Sequence, residues 1–494
     1  MPFGEIPLTN VLIKRKIELL QRGITALKKS HSIDMCNGSL ADKILLFALP
    51  LMASSLLQLL FNAADVVVVG RFAGKEALAA VGSNTALINL MINLFVGLSV
   101  GTNVVVARDL GAGRHDKVSG SVHTAMTLAL VSGIAMMLFG TVMVRQLLEW
   151  MSSPTDVIDL ATVYLRIYFL GMPANLVYNF GAAILRAQGD TQRPLYFLTF
   201  AGVVNVLLNL VFVIALQMDV AGVALATIIA QYISAALVVR CMMREQGPLQ
   251  LELKRLGLEK RGVLQILKVG LPAGFQGVVF SLSNVVIQSS LNSFDDPVLV
   301  AGSAAGANIE SFVYVTMNAF HQAAISFVGQ NYGAAKCDRV DRVAWQCTVF
   351  SVLFGLVAGN LAYLLGAPLV NIYAPGEPDV VHQALIRMLF ICCPYFICGV
   401  MEALVGVLRG LGSSVIPMVT SIVGACGLRL VWVAVVFPVY RTPACLYLSY
   451  PVTWIITSLF HFLFLMLVVR RRAFAKVQSL GPAYLSTEGH HPEV

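Results

Sequence analysis

VVARDLGAGRHDKV, at residues 105–118, returns as FVGQNYGAAKCDRV at residues 327–340, an offset of 222. In both stretches a Gly-Ala pair is followed by a basic residue, an Asp, a second basic residue and a Val. ILRAQGDTQRP (184–194) returns as VLRGLGSSVIP (407–417), and LPLM (49–52) as LPAG (271–274), at offsets of 223 and 222. Three matches at nearly one spacing mean that the chain is two copies of one unit.

The medium these copies are built for follows from composition. The 494 residues are 57% hydrophobic and only 12% charged, and mean hydropathy is +0.79. A soluble domain carries about 25% charged residues. The apolar runs are long enough for membrane helices, which need about 20 residues. The alternating ten-residue segments of a β-barrel are absent, so the spans read as helical. Twelve spans fall at roughly 44–70, 77–105, 118–147, 157–185, 194–216, 220–243, 265–292, 299–328, 342–373, 380–407, 415–438 and 446–469. Each copy then has six. Six is even, so both copies enter from the same side and form parallel repeats about an axis along the membrane normal. The expected fold is an all-α integral membrane protein of two six-helix bundles. The expected organisation is an arm (1–40), a first lobe (41–244), a charged linker (245–262), a second lobe (263–470) and a tail (471–494).

Charge sets the orientation. Of the 34 Lys and Arg, 27 fall in segments on the side that holds both termini. The positive-inside rule places that side in the cytoplasm, in a plasma or inner membrane. The net charge of +8 is thereby spent on topology and lipid headgroups, not on nucleic acid. Ile13, Ile17, Leu20, Ile24 and Leu27 recur at helical spacing among basic residues, as in an amphipathic helix on the inner leaflet. A solvated arm fits those residues equally. The tail after Lys476 reads as disordered. The N-terminus has no secretory signal pattern, and the nine cysteines have no metal-type spacing and read as reduced. No GxxxxGK[ST] loop, HExxH or nucleophile–base set is present, so neither ATP-driven transport nor catalysis is expected. No cofactor is expected, and the chain reads as a monomer.

FALPLM (47–52), AVGSN (80–84), LGAGRHDK (110–117), ILRAQGDTQRP, GLP (270–272), ANIESF (307–312), FVGQNYGA (327–334) and MEALVGVLRGLGSSVIP (401–417) together resemble the MATE family, the multidrug and toxic compound extrusion transporters. The resemblance runs from about residue 40 to 470. It implies a V-shaped pair of lobes and efflux of amphipathic, often cationic, small molecules in exchange for H⁺ or Na⁺. A lipid-linked oligosaccharide flippase of the same superfamily is the alternative, which would need several Arg in its cavity.

Gln58, Asn62 and Asp65 lie at i, i+4 and i+7 on span 1 and share a face. A carboxylate inside a span is costly, and such residues are as a rule functional. Asn205 and Asn209 lie four apart on span 5. The resemblance implies that Asp65, Tyr164, Asn205 and Thr227 form a cation-coupling site in the first lobe. Asn209 departs from the family, many of whose members carry a carboxylate there. That loss is expected to weaken Na⁺ and favour H⁺, with Na⁺ at Asp65 left open.

The second lobe is charged differently, with Glu310, Glu402 and Arg429 in spans 8, 10 and 11. A Glu402–Arg429 pair between neighbouring helices would hold both charges in the membrane most cheaply. A coupling or substrate role for these residues and for His321 is the other reading. Gln276, Asn284 and Gln288 are span 7 candidates for the cavity wall. A flexible apolar wall suits many ligands, which makes Phe61, Met91, Tyr178, Phe280, Tyr314 and Met317 further candidates.

Overall fold

The computed structural model describes residues 32–151 and 155–479. The amphipathic helix expected around residues 13–27 lies outside them, as does the chain beyond Ser479. Among the described residues the regular structure is all helical. The first copy contains α1 (Ala41–Val68), α2 (Gly74–Gly111), α3 (His115–Trp150), α4 (Thr155–Leu170), α5 (Met172–Gln188), α6 (Gln192–Asn209) and α7 (Asp219–Arg244). The second contains α8 (Lys260–Asn292), α9 (Pro297–Gly333), α10 (Cys337–Leu364), α11 (Gly366–Tyr373), α12 (Pro378–Ile391), α13 (Tyr395–Gly410), α14 (Val415–Ser421), α15 (Leu428–Val435) and α16 (Pro443–Phe464). A last helix, α17 (Arg470–Ser479), carries order three residues past Lys476, where the sequence reads as disordered.

Among the described residues ten helices are long and apolar enough to cross a membrane, and counting each of two bent pairs as one span brings them to twelve. The pairs are α4 with α5, bent by 47°, and α12 with α13, bent by 46°. Each pair corresponds to one of the spans expected from the sequence, 157–185 and 380–407. A proline sits at each break, Pro173 and Pro394. Proline has no N–H to donate and its ring crowds the preceding turn, so a helix kinks there. Four π-helical turns occur among the described residues: Val69–Ala73 after α1, Leu210–Ala215 after α6, Ile422–Gly427 between α14 and α15, and Leu465–Val469 after α16.

The two bundles meet along α2 and α8, where backbone packs on backbone. A Cβ on Gly97 would lie 2.1 Å from the Gly274 nitrogen, and one on Gly101 would lie 2.4 Å from the Ile266 carbonyl oxygen. Small residues in membrane helices permit this close approach. The repeated motif of the opening stretch closes the same end of the molecule. Gly111 abuts the Gln330 carbonyl and Gly333 abuts the Arg108 carbonyl. Ser326 donates to Asn103 Oδ1 at 3.1 Å. We call this the motif end.

Two connecting segments are fixed at the motif end as well. Arg339 donates to the carbonyls of Met35, Asn37 and Gly38 at 3.2, 2.9 and 2.8 Å. The Ile33 N–H donates to the Gly189 carbonyl at 3.2 Å, so residues 33–38 bridge both bundles. The charged segment between bundles is docked too. Leu249 and Leu251 are buried in the core of the first bundle. The Glu252 N–H donates to His123 Nε2 at 3.0 Å, and the Glu259 N–H to Thr124 Oγ1 at 3.3 Å.

Candidate functional site

Helix α1 serves both bundles. Its first half, with Ile44, Phe47 and Leu51, belongs to a core shared with Phe320, Phe327 and Val328 of α9. Phe47 packs edge-on to Phe327 with centroids 5.5 Å apart. Its second half turns to the first bundle: Phe61 covers Gly202 of α6, and Val68 is buried with Tyr164, Tyr168 and Val213. Pro50 lies inside α1, where the missing N–H leaves one helical bond unmade.

Asp65 sits on that second half. Asn209 Nδ2 donates to Asp65 Oδ1 at 2.5 Å. Thr227 Oγ1 lies 3.5 Å from Asp65 Oδ2. Asn205 Nδ2 lies 3.4 Å from Thr227 Oγ1, and Asn209 Nδ2 lies 3.4 Å from Asn205 Oδ1. Four of the five expected residues therefore form one connected set across α1, α6 and α7. Tyr164 is buried beside them, stacked on Tyr168 at 6.1 Å. Its hydroxyl makes no hydrogen bond to Asp65 among the described residues. Asn209 Oδ1 is buried with no partner. The π-helical turn begins at the next residue, Leu210, and such turns recur at functional sites. No Lys, Arg or His lies within ion-pair distance of Asp65 among the described residues.

The second bundle corrects the expected ion pair. Glu402 does not meet Arg429. Arg387 donates instead to Glu310 at 2.8 Å and to Ser303 at 3.0 Å, and Tyr395 donates to Glu310 at 3.3 Å. Glu402 faces His321: its backbone carbonyl lies 2.8 Å from His321 Nδ1 and its carboxylate 3.3 Å away. Arg409 reaches His321 Nε2 at 3.3 Å and Gln276 Oε1 at 2.9 Å. Span adjacency cannot give these partners, because which face of α13 turns to α9 is set by the bend at Pro394. Arg387 is one of the seven Lys and Arg outside the segments on the side of the termini, and nothing in its own span singles it out. The available signal is the small residues opposite it, Ser303 and Gly306 on α9.

We expect Arg387→Ala to destabilise the protein by about 3–5 kcal/mol, because it strands Glu310 buried and unpaired. The double variant Arg387→Leu/Glu310→Gln should recover most of that loss. Thermal unfolding of the detergent-purified variants checks both, and equal losses in the two would contradict the pairing.

The candidate wall residues divide. Gln58, Asn62 and Asn284 are exposed, and Gln288, Phe61, Met91, Phe280 and Tyr314 are half-buried. Gln276, Tyr178 and Met317 do not line a cavity. Gln276 is 4% exposed, with its amide used by Arg409 and Ser421. The Tyr178 hydroxyl is bonded to the Pro194 carbonyl at 3.2 Å, and Met317 is core. Among the described residues no group of three His, Cys, Asp or Glu could hold a metal.

The MatE family profile matches twice, at residues 50–211 and 272–435, once in each bundle. The chain belongs to the MatE family. It is 24% identical over 392 residues to the "Probable multidrug resistance protein YoeA" of Bacillus subtilis, covering 78% of this chain and 84% of that protein. It is 22% identical to a protein named "FAD transporter" from Shewanella oneidensis, covering 75% and 81%. A solved structure described as the outward-facing conformation of a multidrug resistance MATE family transporter superimposes with a TM-score of 0.82. Its identity is 20%, and the match covers 90% of this chain and 98% of that one. The MatE chain is thus a multi-pass membrane transporter with multidrug efflux proteins among its relatives.

Proposed function

We propose that this transporter is a secondary-active antiporter that exports amphipathic organic compounds in exchange for H⁺ or Na⁺ bound at Asp65. The observation that carries the reading is a carboxylate inside a bundle, with amide and hydroxyl donors around it and no fixed cation. A mobile cation then supplies the compensating charge. Both candidates suit the donor set. A protonated Asp65 donates to Asn209 Oδ1, which has no present partner, once that amide turns over and gives up its contact with Asn205. Na⁺ takes oxygen ligands, and Asp65, Asn205, Asn209 and Thr227 supply them. The positive-inside count supports a plasma-membrane orientation with the motif end and both termini in the cytoplasm.

Coupling follows from α1. One half is held by Asp65 in the first bundle and the other by Phe47 against α9, with Pro50 between. Loading Asp65 changes the hold on one half, and α1 carries that change to the seam between bundles. Exchange requires that cation and substrate prefer different arrangements of that seam. The names of relatives support organic small molecules as cargo, and the FAD transporter extends that support to phosphate-bearing ones.

The test uses liposomes containing the protein and a fluorescent cationic dye. A pH gradient is imposed first, and then a Na⁺ gradient at constant pH. Dye movement under one of them is expected. Movement under neither, with a neutral amphipathic dye as silent as the cationic one, would overturn the reading.

A further inference from the structure

Among the described residues three buried arginines of the second bundle differ in how their charge is met. Arg387 is paired with Glu310, and Arg409 is linked to Glu402 through His321. Arg429 is 2% exposed and has no carboxylate within ion-pair distance among the described residues. Its Nη1 lies 3.5 Å from Asn284 Oδ1, at the limit of a hydrogen bond. Its Nε is buried with no partner. The guanidinium carbon lies over the Tyr450 ring, 3.9 Å from the centroid. The Tyr450 hydroxyl also reaches Asn284 Oδ1, at 3.4 Å.

The position of Asn284 says what this charge faces. Gly277 and Ser281 precede it by seven and three residues on one face of α8. Both touch Asn93 of α2, and Ser281 accepts from it at 3.3 Å. Asn284 is the next residue on that face and is exposed. It therefore lies just beyond the last of these α2–α8 contacts, on the wall between the bundles, with Arg429 directly behind it. Arg429 also stands two residues after the π-helical turn Ile422–Gly427.

We infer that Arg429 is an anion subsite of the substrate cavity, which takes the carboxylate or phosphate of an amphipathic organic substrate. Tyr450 holds the guanidinium in place, Asn284 gives up its weak contact, and the Nε and Nη donors receive the anion. A guanidinium fork matches two oxygens of such a group. Asp65 in the first bundle and Arg429 in the second are then a negative and a positive charge with no ion-pair partner among the described residues. That pattern suits a zwitterion or an organic anion better than a simple cation. The inference rests on the exporter reading, but equilibrium binding tests it without any gradient, so a failure of coupling does not touch it.

The probes are rhodamine B, which bears a free carboxylate, and its ethyl ester, which does not. Binding is followed by fluorescence anisotropy on the full-length protein in phosphatidylcholine nanodiscs. Wild type is expected to prefer the acid by about tenfold, the range of a charge-assisted hydrogen-bonded pair. Arg429→Gln should bind both dyes equally, and Arg429→Lys should keep part of the preference. Arg429→Met, an apolar replacement of similar length, guards against misfolding of the Gln variant and should also level the two affinities. Equal binding by wild type, or an acid preference that survives in Arg429→Gln and Arg429→Met, would overturn the assignment. So would a wild-type preference that vanishes when phosphatidylglycerol is added, since the anion would then be a lipid headgroup.

Discussion

Asp65→Asn is expected to abolish uphill export while leaving the protein folded and able to bind its substrates. The substitution keeps the shape of the side chain and its capacity to bond Asn209 and Thr227. It removes the one charge in the set. A site that holds no cation has no differential affinity with which to bias the two arrangements of the seam, and a ligand that binds both equally shifts nothing. The dye gradient built by wild type should collapse to equality, and the initial rate should fall about tenfold or more, as expected when a bias of a few kcal/mol is lost. Dye binding at equilibrium should stay within about threefold of wild type, as for loss of a term that does not touch the ligand. Transport normalised to protein reconstituted, with binding measured beside it, gives both numbers. Retention of uphill export would place the coupling site elsewhere. Asn209→Asp makes the converse case. A second carboxylate beside Asp65 should raise the Na⁺ dependence of transport.

Gly274→Leu is expected to abolish transport by another route. A Cβ on Gly274 would lie 2.3 Å from the Leu94 carbonyl oxygen, which is backbone and cannot rotate away. The helices must part, and overpacking of this kind costs about 1–3 kcal/mol or more. The cost falls only on the arrangement in which α2 and α8 touch, so the motif end should open. Ser326 is fully buried between the bundles, and it reports that opening. In a cysteine-free background, Ser326→Cys should react with a thiol reagent about tenfold faster beside Gly274→Leu, as for a closed state weakened by about 1.4 kcal/mol. Unchanged labelling with intact transport would show that this joint does not govern access.

Much of the fold was legible before any coordinates, and for a physical reason. Hydrocarbon forces backbone groups to pair within each span, so apolar run length and charge alone give the helices, and the 222-residue echo gives the pairing of halves. Helical spacing put Gln58, Asn62 and Asp65 on one face and Asn205 and Asn209 one turn apart, but it was the family resemblance that joined Asp65, Tyr164, Asn205 and Thr227 into one set. Arg387 and Arg409 were not legible. Their partners depend on how each helix is rotated, and the bends at Pro173 and Pro394 reset that rotation midway through a span. The π-helical turns beside Asn209 and Arg429 have no sequence signature of the kind that marks a cap or a tight turn. Burial of Gln276 and Met317 was equally hidden, since a polar or flexible residue on a membrane helix does not announce whether it meets a neighbour or a void.

The docking of residues 249–252 sets a rule for dividing the molecule. Leu249 and Leu251 plug the first bundle and Glu252 ties to His123, so this stretch is the floor of the first half and not a tether between halves. Two separately expressed chains should therefore reassemble when the cut falls near Gly257, after Leu256 has packed against that core. A cut at Gly247 should leave the first chain with an open base and the second with a greasy leader.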